Sequence, residues 1–288
     1  MNAPRMIAGT AVVLLVAAHA SLADEAWTAS GLEAPESVLY DASRDIFYVS
    51  NISGEMDAKD GNGFISILGP DGSLKQAQWI TGLNGPKGLA MHGDALFVTD
   101  IDRLVAVDVA GGKVLGTYPA EGAQFLNDAV ADADGRVFVS DTLTNRIYLL
   151  DAGTLSVWLE DEQLAHPNGL ALQDGQLIVA AWGPGLKPDF STESPGYLLA
   201  VDLATKAISP LGSGTGVGNL DGLEAEGDGA WLATDWMAGG LARIQPDGTS
   251  EQLLDLNQGS ADLEYLPEQK LAIIPMMMDG TVVAHRLD

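Results

Sequence analysis

Residues 126–141 read LNDAVADADGRVFVSD, and this stretch decides the fold. Apolar and polar residues alternate on both sides of Asp134-Gly135, a pair that is typical of tight β-hairpin turns. The segment therefore predicts two antiparallel strands joined by a short turn. The same pattern recurs in five further segments, which begin at Pro35, Pro86, Pro167, Leu220 and Ala261.

The six segments form an internal repeat with a polar residue at its second position. These residues are Glu36, Lys87, Asn127, Asn168, Asp221 and Asp262, at separations of 51, 40, 41, 53 and 41 residues. Most repeats continue with a third strand, such as RIYLLD (146–151), and a weaker fourth. Four strands in about 40 residues is the period of a β-propeller blade. The sequence therefore predicts an all-β, six-bladed β-propeller with four-stranded blades over residues 24–288.

The two ends of the chain are predicted to meet in the last blade. The sixth repeat has only three strands before the chain ends at Asp288, and the stretch EAWTAS (25–30) precedes the first repeat. We expect this N-terminal strand to close the last blade as its fourth strand. Two separate β-sandwiches are the alternative architecture, but they do not predict one motif six times.

The second positions are candidates for a metal site. In a propeller, the first strand of each blade lines the central channel, so equivalent residues converge near the axis. The ring would hold three carboxylates, two amides and one lysine, and such hard oxygen donors favour Ca²⁺, Mg²⁺ or Mn²⁺. A second interpretation treats Asn168-Gly169 and Asp221-Gly222 as ordinary turn pairs, which explains two of the six positions.

Four segments resemble the ligand segments of the senescence-marker-protein/gluconolactonase/luciferin-regenerating family, to which paraoxonases are more distantly similar. They are APESVLYD (34–41), FLNDAVADADGRVFVSD (125–141), HPNGLAL (166–172) and NLDGLEAEGDGAWLATD (219–235). The resemblance covers residues 32–288 and implies hydrolysis of lactones or related esters with one divalent cation. Ca²⁺ is the first candidate, with Mn²⁺, Mg²⁺ or Zn²⁺ as alternatives. The implied metal ligands are Glu36, Asn127, Asn168 and Asp221.

Two positions depart from the patterns of these families. Phe125 stands where the gluconolactonase branch has an arginine that contacts the sugar, which disfavours sugar lactones as substrates. Lys87 stands where paraoxonases have a histidine. After residue 23 the chain has three histidines, His92, His166 and His285. None lies at a second position, so we expect ordinary surface or hairpin residues rather than a histidine base.

Three ring residues are candidates for the chemistry itself. Lys87 is either a counter-ion to the neighbouring carboxylates or a donor that stabilises a developing oxyanion or supplies a proton. Asp221 or Asp262 would accept the proton of an attacking water, and Asp262 is also a candidate to position that water. Asn127 and Asn168 would orient the substrate and the cation.

Long insertions separate the second and third strands of two repeats, at 51–63 and 181–196. Part of the first insertion, DAKDGNGFIS (57–66), is similar to an EF-hand loop. However, Gly69 replaces the twelfth-position glutamate of such a loop, and both flanks read as strands rather than helices. We therefore expect a lid segment over the channel instead of a calcium loop.

The same class of loop holds Trp182, Trp236 and residues 276–278, which are three methionines. Together with Phe125 they predict an apolar rim, in which Phe125, Trp182 and Trp236 contact an apolar lactone or ester as the small-molecule substrate. The alternative is that the methionines simply pack the sixth blade.

Residues 1–23 are typical of a secretory signal peptide. Arg5 precedes an uncharged apolar run at 7–18, and small residues permit cleavage after Ala20 or Ala23. We expect a periplasmic or secreted protein without stable membrane insertion after cleavage, with an uncleaved anchor as the alternative. Cleavage leaves a net charge near −27, which repels nucleic acid. The chain has no cysteine, which excludes thiolate catalysis.

Two other functions are compatible with the repeats. A propeller that only binds a partner, with a structural or absent metal, fits the same fold. A strictosidine-synthase-like condensing enzyme would need no such metal, and the complete set of ligand positions argues against it.

Overall fold

The computed structural model describes residues 24–287 and confirms the all-β, six-bladed propeller. The chain begins with β1 (Asp24–Ser30). Blade 1 contains β2 (Pro35–Asp41), β3 (Ile46–Asn51), β4 (Gly63–Leu68) and β5 (Leu74–Leu83). Blade 2 contains β6 (Pro86–His92), β7 (Ala95–Asp100), β8 (Arg103–Asp108) and β9 (Lys113–Pro119). Blade 3 contains β10 (Leu126–Ala131), β11 (Val137–Asp141), β12 (Arg146–Asp151) and β13 (Thr154–Glu160).

The second half of the chain repeats this plan. Blade 4 contains β14 (Pro167–Gln173), β15 (Gln176–Ala181), β16 (Leu198–Asp202) and β17 (Ile208–Pro210). Blade 5 contains β18 (Leu220–Gly227), β19 (Ala230–Asp235), β20 (Gly240–Ile244) and β21 (Ser250–Asp255). Blade 6 contains β22 (Glu264–Leu266), β23 (Leu271–Met276) and β24 (Thr281–Arg286). Short 3₁₀ helices lie at Glu162–Leu164 and Pro267–Gln269. The predicted signal peptide, residues 1–23, lies outside the described residues.

The N-terminal strand closes the last blade, as the sequence predicted. Blade 6 has the order β1-β24-β23-β22, and Thr28 of β1 lies opposite Val283 of β24. The ring is thus joined by backbone hydrogen bonds between the two ends of the chain. Within residues 24–287, no helix is long and apolar enough to cross a membrane.

The hydrophobic core lies mainly between adjacent blades. Between blades 2 and 3, for example, Leu104, Val139 and Tyr148 are fully buried in one apolar cluster. Along each strand, residues that face this interface alternate with residues that face the interface on the other side of the blade. This is the period-two pattern of a strand that is buried on both faces. Because each blade packs on two neighbours, the first strands that line the channel are held in fixed positions relative to one another.

A β-bulge at the start of the first strand directs the ring residues into the channel. In blade 1 the register with β3 shifts between Pro35 and Val38, so that Glu36 and Ser37 together oppose Ser50. The same shift occurs at the same place in blades 2 to 5. An extra residue of this kind changes the direction in which a strand side chain points, which explains why the second-position residues face the channel axis.

Hydroxyl side chains from the second strand satisfy the bulged backbone. Three N–H groups that the bulge removes from the ladder donate to a Ser or Thr oxygen instead. These bonds are Ser37 N to Ser50 Oγ (2.9 Å), Asp128 N to Ser140 Oγ (2.9 Å) and Gly222 N to Thr234 Oγ1 (2.8 Å).

Glycine follows the ring residue in blades 2, 4 and 5 because neighbouring blades approach closely there. A Cβ on Gly88 would lie 2.5 Å from the Cα of Asp128, and a Cβ on Gly222 would lie 2.5 Å from the backbone nitrogen of Leu263. Asn168-Gly169 and Asp221-Gly222 lie inside β14 and β18. The interpretation of these pairs as turns is therefore wrong.

Blade 6 has a different register from the one read in the sequence. Ser260 forms a bridge with Met276, as Pro35 pairs with the last residue of β3. Ala261 therefore occupies the second position, and Asp262 occupies the third, where it forms a parallel bridge with Ser37. The placement of Asp262 in the ring was wrong by one residue, and a shift of one residue sends a strand side chain to the opposite face.

Candidate functional site

Five of the six predicted ring residues line one cavity of about 260 Å³. They are Glu36, Lys87, Asn127, Asn168 and Asp221, with relative exposures between 1% and 6%. Each stands at the second position of a first strand, so the bulge and the propeller symmetry bring them together. The cavity has apolar walls above these buried polar groups.

Three oxygen atoms in this cavity have no hydrogen-bond partner in the described part of the chain. They are Glu36 Oε2, Asn168 Oδ1 and Asp221 Oδ1, and all three are buried. An unpaired buried polar group costs about 1–3 kcal/mol. Three such acceptors around one cavity fit a bound cation, because a cation satisfies several lone pairs at once.

The fourth proposed ligand, Asn127, is oriented by its neighbour Thr142. Asn127 Nδ2 donates to Thr142 Oγ1 at 3.2 Å, and that hydroxyl donates to the Pro167 carbonyl at 2.8 Å. Because the amide nitrogen of Asn127 is committed to Thr142, its oxygen is left as an acceptor. Thr142 follows β11 directly, and no sequence pattern singles it out.

The two carboxyl groups are electrostatically unfavourable as isolated anions. Burial raises the pKa of Glu36 well above its ordinary value, and the charge of Asp221 raises it further. Burial likewise raises the pKa of Asp221, with a smaller rise from Asp262. A cation that bound here would displace protons from both groups, so its affinity would rise with pH.

The donor set is two carboxylates and two amides rather than a cluster of carboxylates and histidines. In residues 24–287, no group of three or more histidine, aspartate or glutamate side chains has a metal-binding arrangement. All-oxygen donors of this kind match Ca²⁺ and Mg²⁺ better than Zn²⁺, which takes nitrogen and sulfur ligands readily.

Lys87 is held by main-chain carbonyls rather than by the ring carboxylates. Its Nζ donates to Met56 O at 3.0 Å and to Gly85 O at 3.1 Å, and lies 4.2 Å from the ring centroid of Phe125. Burial lowers the pKa of Lys87 to about 8, against a rise from the charge of Glu36. Within residues 24–287 two of its three N–H groups donate to protein oxygens, which leaves one N–H for a ligand.

Aromatic side chains form one wall of the cavity. The ring centroids of Trp182 and Trp236 are 6.1 Å apart, and those of Phe125 and Phe190 are 5.9 Å apart. Trp182 Nε1 donates to the Phe190 carbonyl at 2.8 Å, which fixes both residues. Phe125, Trp182 and Trp236 therefore lie where the sequence placed them, whereas Phe190 was missed.

The three methionines at 276–278 have three different environments. Met276 is buried in the core of blade 6, Met277 lines the cavity, and Met278 is 64% exposed. The expected rim and the alternative of core packing are therefore each right for one residue. Met56 and Met237 add two thioethers to the cavity lining.

The two long insertions lie at the cavity. The first connects β3 to β4 and contributes Met56, and the second connects β15 to β16 and contributes Phe190. Strand β3 precedes residues 57–66 and β4 begins within them at Gly63, which agrees with the rejection of an EF-hand. Asn62 Nδ2 donates to Asp60 Oδ2 at 2.9 Å, so these side chains pair with each other.

Asp262 does not line this cavity. Ser37 Oγ donates to its Oδ2 at 2.6 Å, and the carboxyl faces a second cavity of about 200 Å³. The other carboxyl groups that line that cavity are those of Asp128, Glu224 and Glu264. Burial raises the pKa of Asp262 to about 7. Asp262 therefore lines a different cavity from Asp221, contrary to the role expected for it in positioning water.

The three histidines differ in exposure. His92 is exposed, and the half-buried His166 has its Nδ1 2.8 Å from the Thr142 carbonyl. His285 is 9% exposed on β24, and burial lowers its pKa. His285 pairs with Ala272 in the β23–β24 hairpin, so the expectation of a surface or hairpin residue holds for it as a hairpin residue.

Among solved structures, the fold of this chain is similar to that of gluconolactonases. No family model and no curated relative matches the sequence. A solved protein provisionally assigned as a gluconolactonase superposes with a TM-score of 0.68 at 20% identity, over 92% of each chain. A gluconolactonase from Xanthomonas campestris has a TM-score of 0.66 at 14% identity, over 89% of this chain and 87% of that one.

A third similar structure comes from a nidogen–laminin complex, with a TM-score of 0.59 at 18% identity, over 76% of this chain and 79% of that one. The resemblance to gluconolactonases is confirmed at the level of the fold. Since one fold serves different functions, the activity has to be argued from the cavity itself.

Proposed function

We propose that this protein is a divalent-metal-dependent hydrolase of lactones or related esters. The observation that carries the proposal is the convergence in one cavity of three buried oxygen atoms, on three different blades, that have no hydrogen-bond partner among residues 24–287. The shared fold with gluconolactonases supports the same class of reaction.

Glu36, Asn127, Asn168 and Asp221 would hold the cation. When bound, a divalent cation polarises a carbonyl group and makes water a better nucleophile. Ca²⁺ is the first candidate because the four donors are oxygen atoms of carboxylates and amides. Asn127 enters this set with its oxygen because Thr142 binds its nitrogen.

The remaining residues would bind the substrate and move the proton. Asp221, whose Oδ1 would hold the cation, would accept a proton from the attacking water through its other carboxylate oxygen. The free N–H of Lys87 would donate to the carbonyl oxygen as it gains negative charge. The aromatic wall excludes water, which strengthens both interactions.

The walls of the cavity favour an apolar, uncharged substrate. Phe125 and Phe190 offer no hydrogen-bonding groups for the hydroxyls of a sugar, and the indole nitrogen of Trp182 is already used. The strongly acidic surface repels anions. We therefore propose neutral lactones or esters with hydrophobic substituents rather than sugar acids.

Chelation tests the metal dependence. Protein stripped of metal should lose hydrolysis of a lactone panel and regain it with Ca²⁺, and Mn²⁺, Mg²⁺ and Zn²⁺ should be compared. Asp221→Asn should lower kcat by about 10²–10⁴-fold, whereas Asp174→Asn, in an exposed turn, is the matched control. Full activity of metal-free protein would reject the proposal.

Export to the periplasm or medium is part of the same proposal and rests on residues 1–23. N-terminal sequencing of protein recovered from the extracytoplasmic fraction should show a start at residue 21 or 24. An intact N-terminus in the cytoplasmic fraction would contradict it.

A further inference from the structure

A side groove of about 380 Å³ lies next to the candidate active site, between the two long insertions. It is lined by residues from both insertions and from the loop after β11. Its apolar lining residues are Met56, Phe125, Leu143, Leu186, Pro188 and Phe190. Three of them, Met56, Phe125 and Phe190, also line the central cavity. The groove and the cavity therefore share one wall.

The shared wall is fixed by contacts from outside the groove. Lys87 Nζ binds the Met56 carbonyl and lies against the Phe125 ring. Trp182 Nε1 binds the Phe190 carbonyl, and the Phe190 ring packs on Phe125. A wall held in this way is preformed, so a ligand that uses it does not have to order a loop first.

The charges of the groove indicate which substituent it takes. Glu55 and Asp57 line it with one basic residue, Lys187. Two carboxylates against one lysine, on a protein of strongly negative charge, disfavour an anionic tail. Leu143 is 37% exposed in the groove and leaves apolar surface uncovered. An uncharged alkyl or acyl chain fits both features.

We propose that the side groove is a second substrate subsite, which binds the extended alkyl or acyl substituent of a neutral lactone or ester. The reacting carbonyl lies in the central cavity, and the substituent passes the Met56–Phe125–Phe190 wall into the groove. This subsite rests on the proposed hydrolase function for its reacting end. It makes chain length, rather than ring chemistry alone, a determinant of specificity.

A pair of lactones tests the subsite. Since each buried methylene contributes about 0.8 kcal/mol and burial in an open groove is partial, kcat/KM for γ-dodecalactone should exceed that for γ-butyrolactone by about 10–100-fold. Leu143→Arg and Leu186→Arg, in separate loops, should each reduce this ratio at least about fivefold. Leu115→Arg, at a 63% exposed position on β9, is the matched control and should leave the ratio unchanged.

Binding of the corresponding lactams separates this inference from the proposed function. The lactams resist hydrolysis, so calorimetry reports binding without turnover. The long-chain lactam should bind at least about tenfold more tightly than the short one, and both groove variants should weaken it. Equal affinities of the two lactams would overturn the subsite. Discrimination between the lactams without hydrolysis of any lactone would leave the subsite standing and reject the hydrolase.

Discussion

Thr142→Val tests how the chain orients a proposed metal ligand. The Thr142 hydroxyl accepts from Asn127 Nδ2 at 3.2 Å and donates to the Pro167 carbonyl at 2.8 Å. Valine has a similar shape but can do neither. The substitution therefore leaves an amide nitrogen and a carbonyl oxygen without their partner, and it frees the Asn127 side chain to rotate.

The magnitude follows from these two bonds. Each buried group that loses its partner costs about 1–3 kcal/mol. With partial relaxation we expect a loss of about 2–4 kcal/mol, which lowers the melting temperature of a chain of this size by about 5–10 °C. Because residues that orient a ligand typically control about 10–100-fold of metal affinity, the Kd for Ca²⁺ should rise by that factor.

The neighbouring Thr144 supplies a matched control. Its Oγ1 is buried without a hydrogen-bond partner, so Thr144→Val replaces an unpaired hydroxyl by a methyl group and should be neutral or stabilising. Calorimetric melts and Ca²⁺ titrations of both variants give the answer. If Thr142→Val and Thr144→Val matched in both measurements, the reasoning would be refuted. A lower melting temperature with unchanged Ca²⁺ affinity would reject the orienting role alone.

Three further outcomes are expected. Burial raises the pKa of Asp262 and Glu264 to about 7, so the native state retains protons that the unfolded chain releases near pH 4. The contribution of these two groups to stability is therefore fully present below about pH 4 and is lost as the pH rises through about 7. Glu264→Gln should therefore weaken the dependence of the melting temperature on pH between about pH 4 and 7. An unchanged dependence would contradict the assignment. Gly222→Ala, which forces a Cβ to 2.5 Å from the Leu263 nitrogen, should cost about 1–3 kcal/mol in urea denaturation, and a wild-type midpoint would count against close blade contact. Deletion of residues 24–30 exposes the edge of β24, so light scattering should show association, whereas a stable monomer would show that the closure is dispensable.

The architecture could be predicted from the repeat, because a pattern that recurs six times is informative even where the secondary-structure propensity of a single segment is ambiguous. A polar residue followed by an alternating hairpin, six times, leaves few folds other than a propeller. The closure by β1 was predictable for the same reason, since the sixth repeat lacked one strand. Glu36, Asn127, Asn168 and Asp221 could be placed together because equivalent positions of a ring converge, whatever the details of each blade.

Contacts between different loops could not be predicted in the same way. Phe190 reaches the site from the middle of a 16-residue insertion, and no periodic pattern governs its position. Its ring packs at a tilt against Phe125 from another blade, which is a tertiary contact without a local signal. The hydroxyls of Ser50 and Thr234 did have a signal, because Ser or Thr precedes the last residue of several second strands. That pattern reports the bulge which directs the ring residues.

The register of blade 6 changes the charge balance of the proposed site. Ala261 takes the second position, and Pro275 stands on β23 where blades 1, 3 and 5 have a hydroxyl residue that satisfies the bulge. Asp262 is thereby removed from the cavity, whose lining carboxylates are Glu36, Asp221 and, from the second insertion, Asp189.

Burial lowers the pKa of Lys87, whereas the charges of Glu36, Asp100 and Asp57 all act on Lys87 and raise its pKa. Its Nζ is nevertheless bound by the carbonyls of Met56 and Gly85 rather than by a carboxylate. An ammonium group held in this way can donate to a carbonyl oxygen that becomes negative, and this favours the oxyanion role of Lys87 over that of a counter-ion.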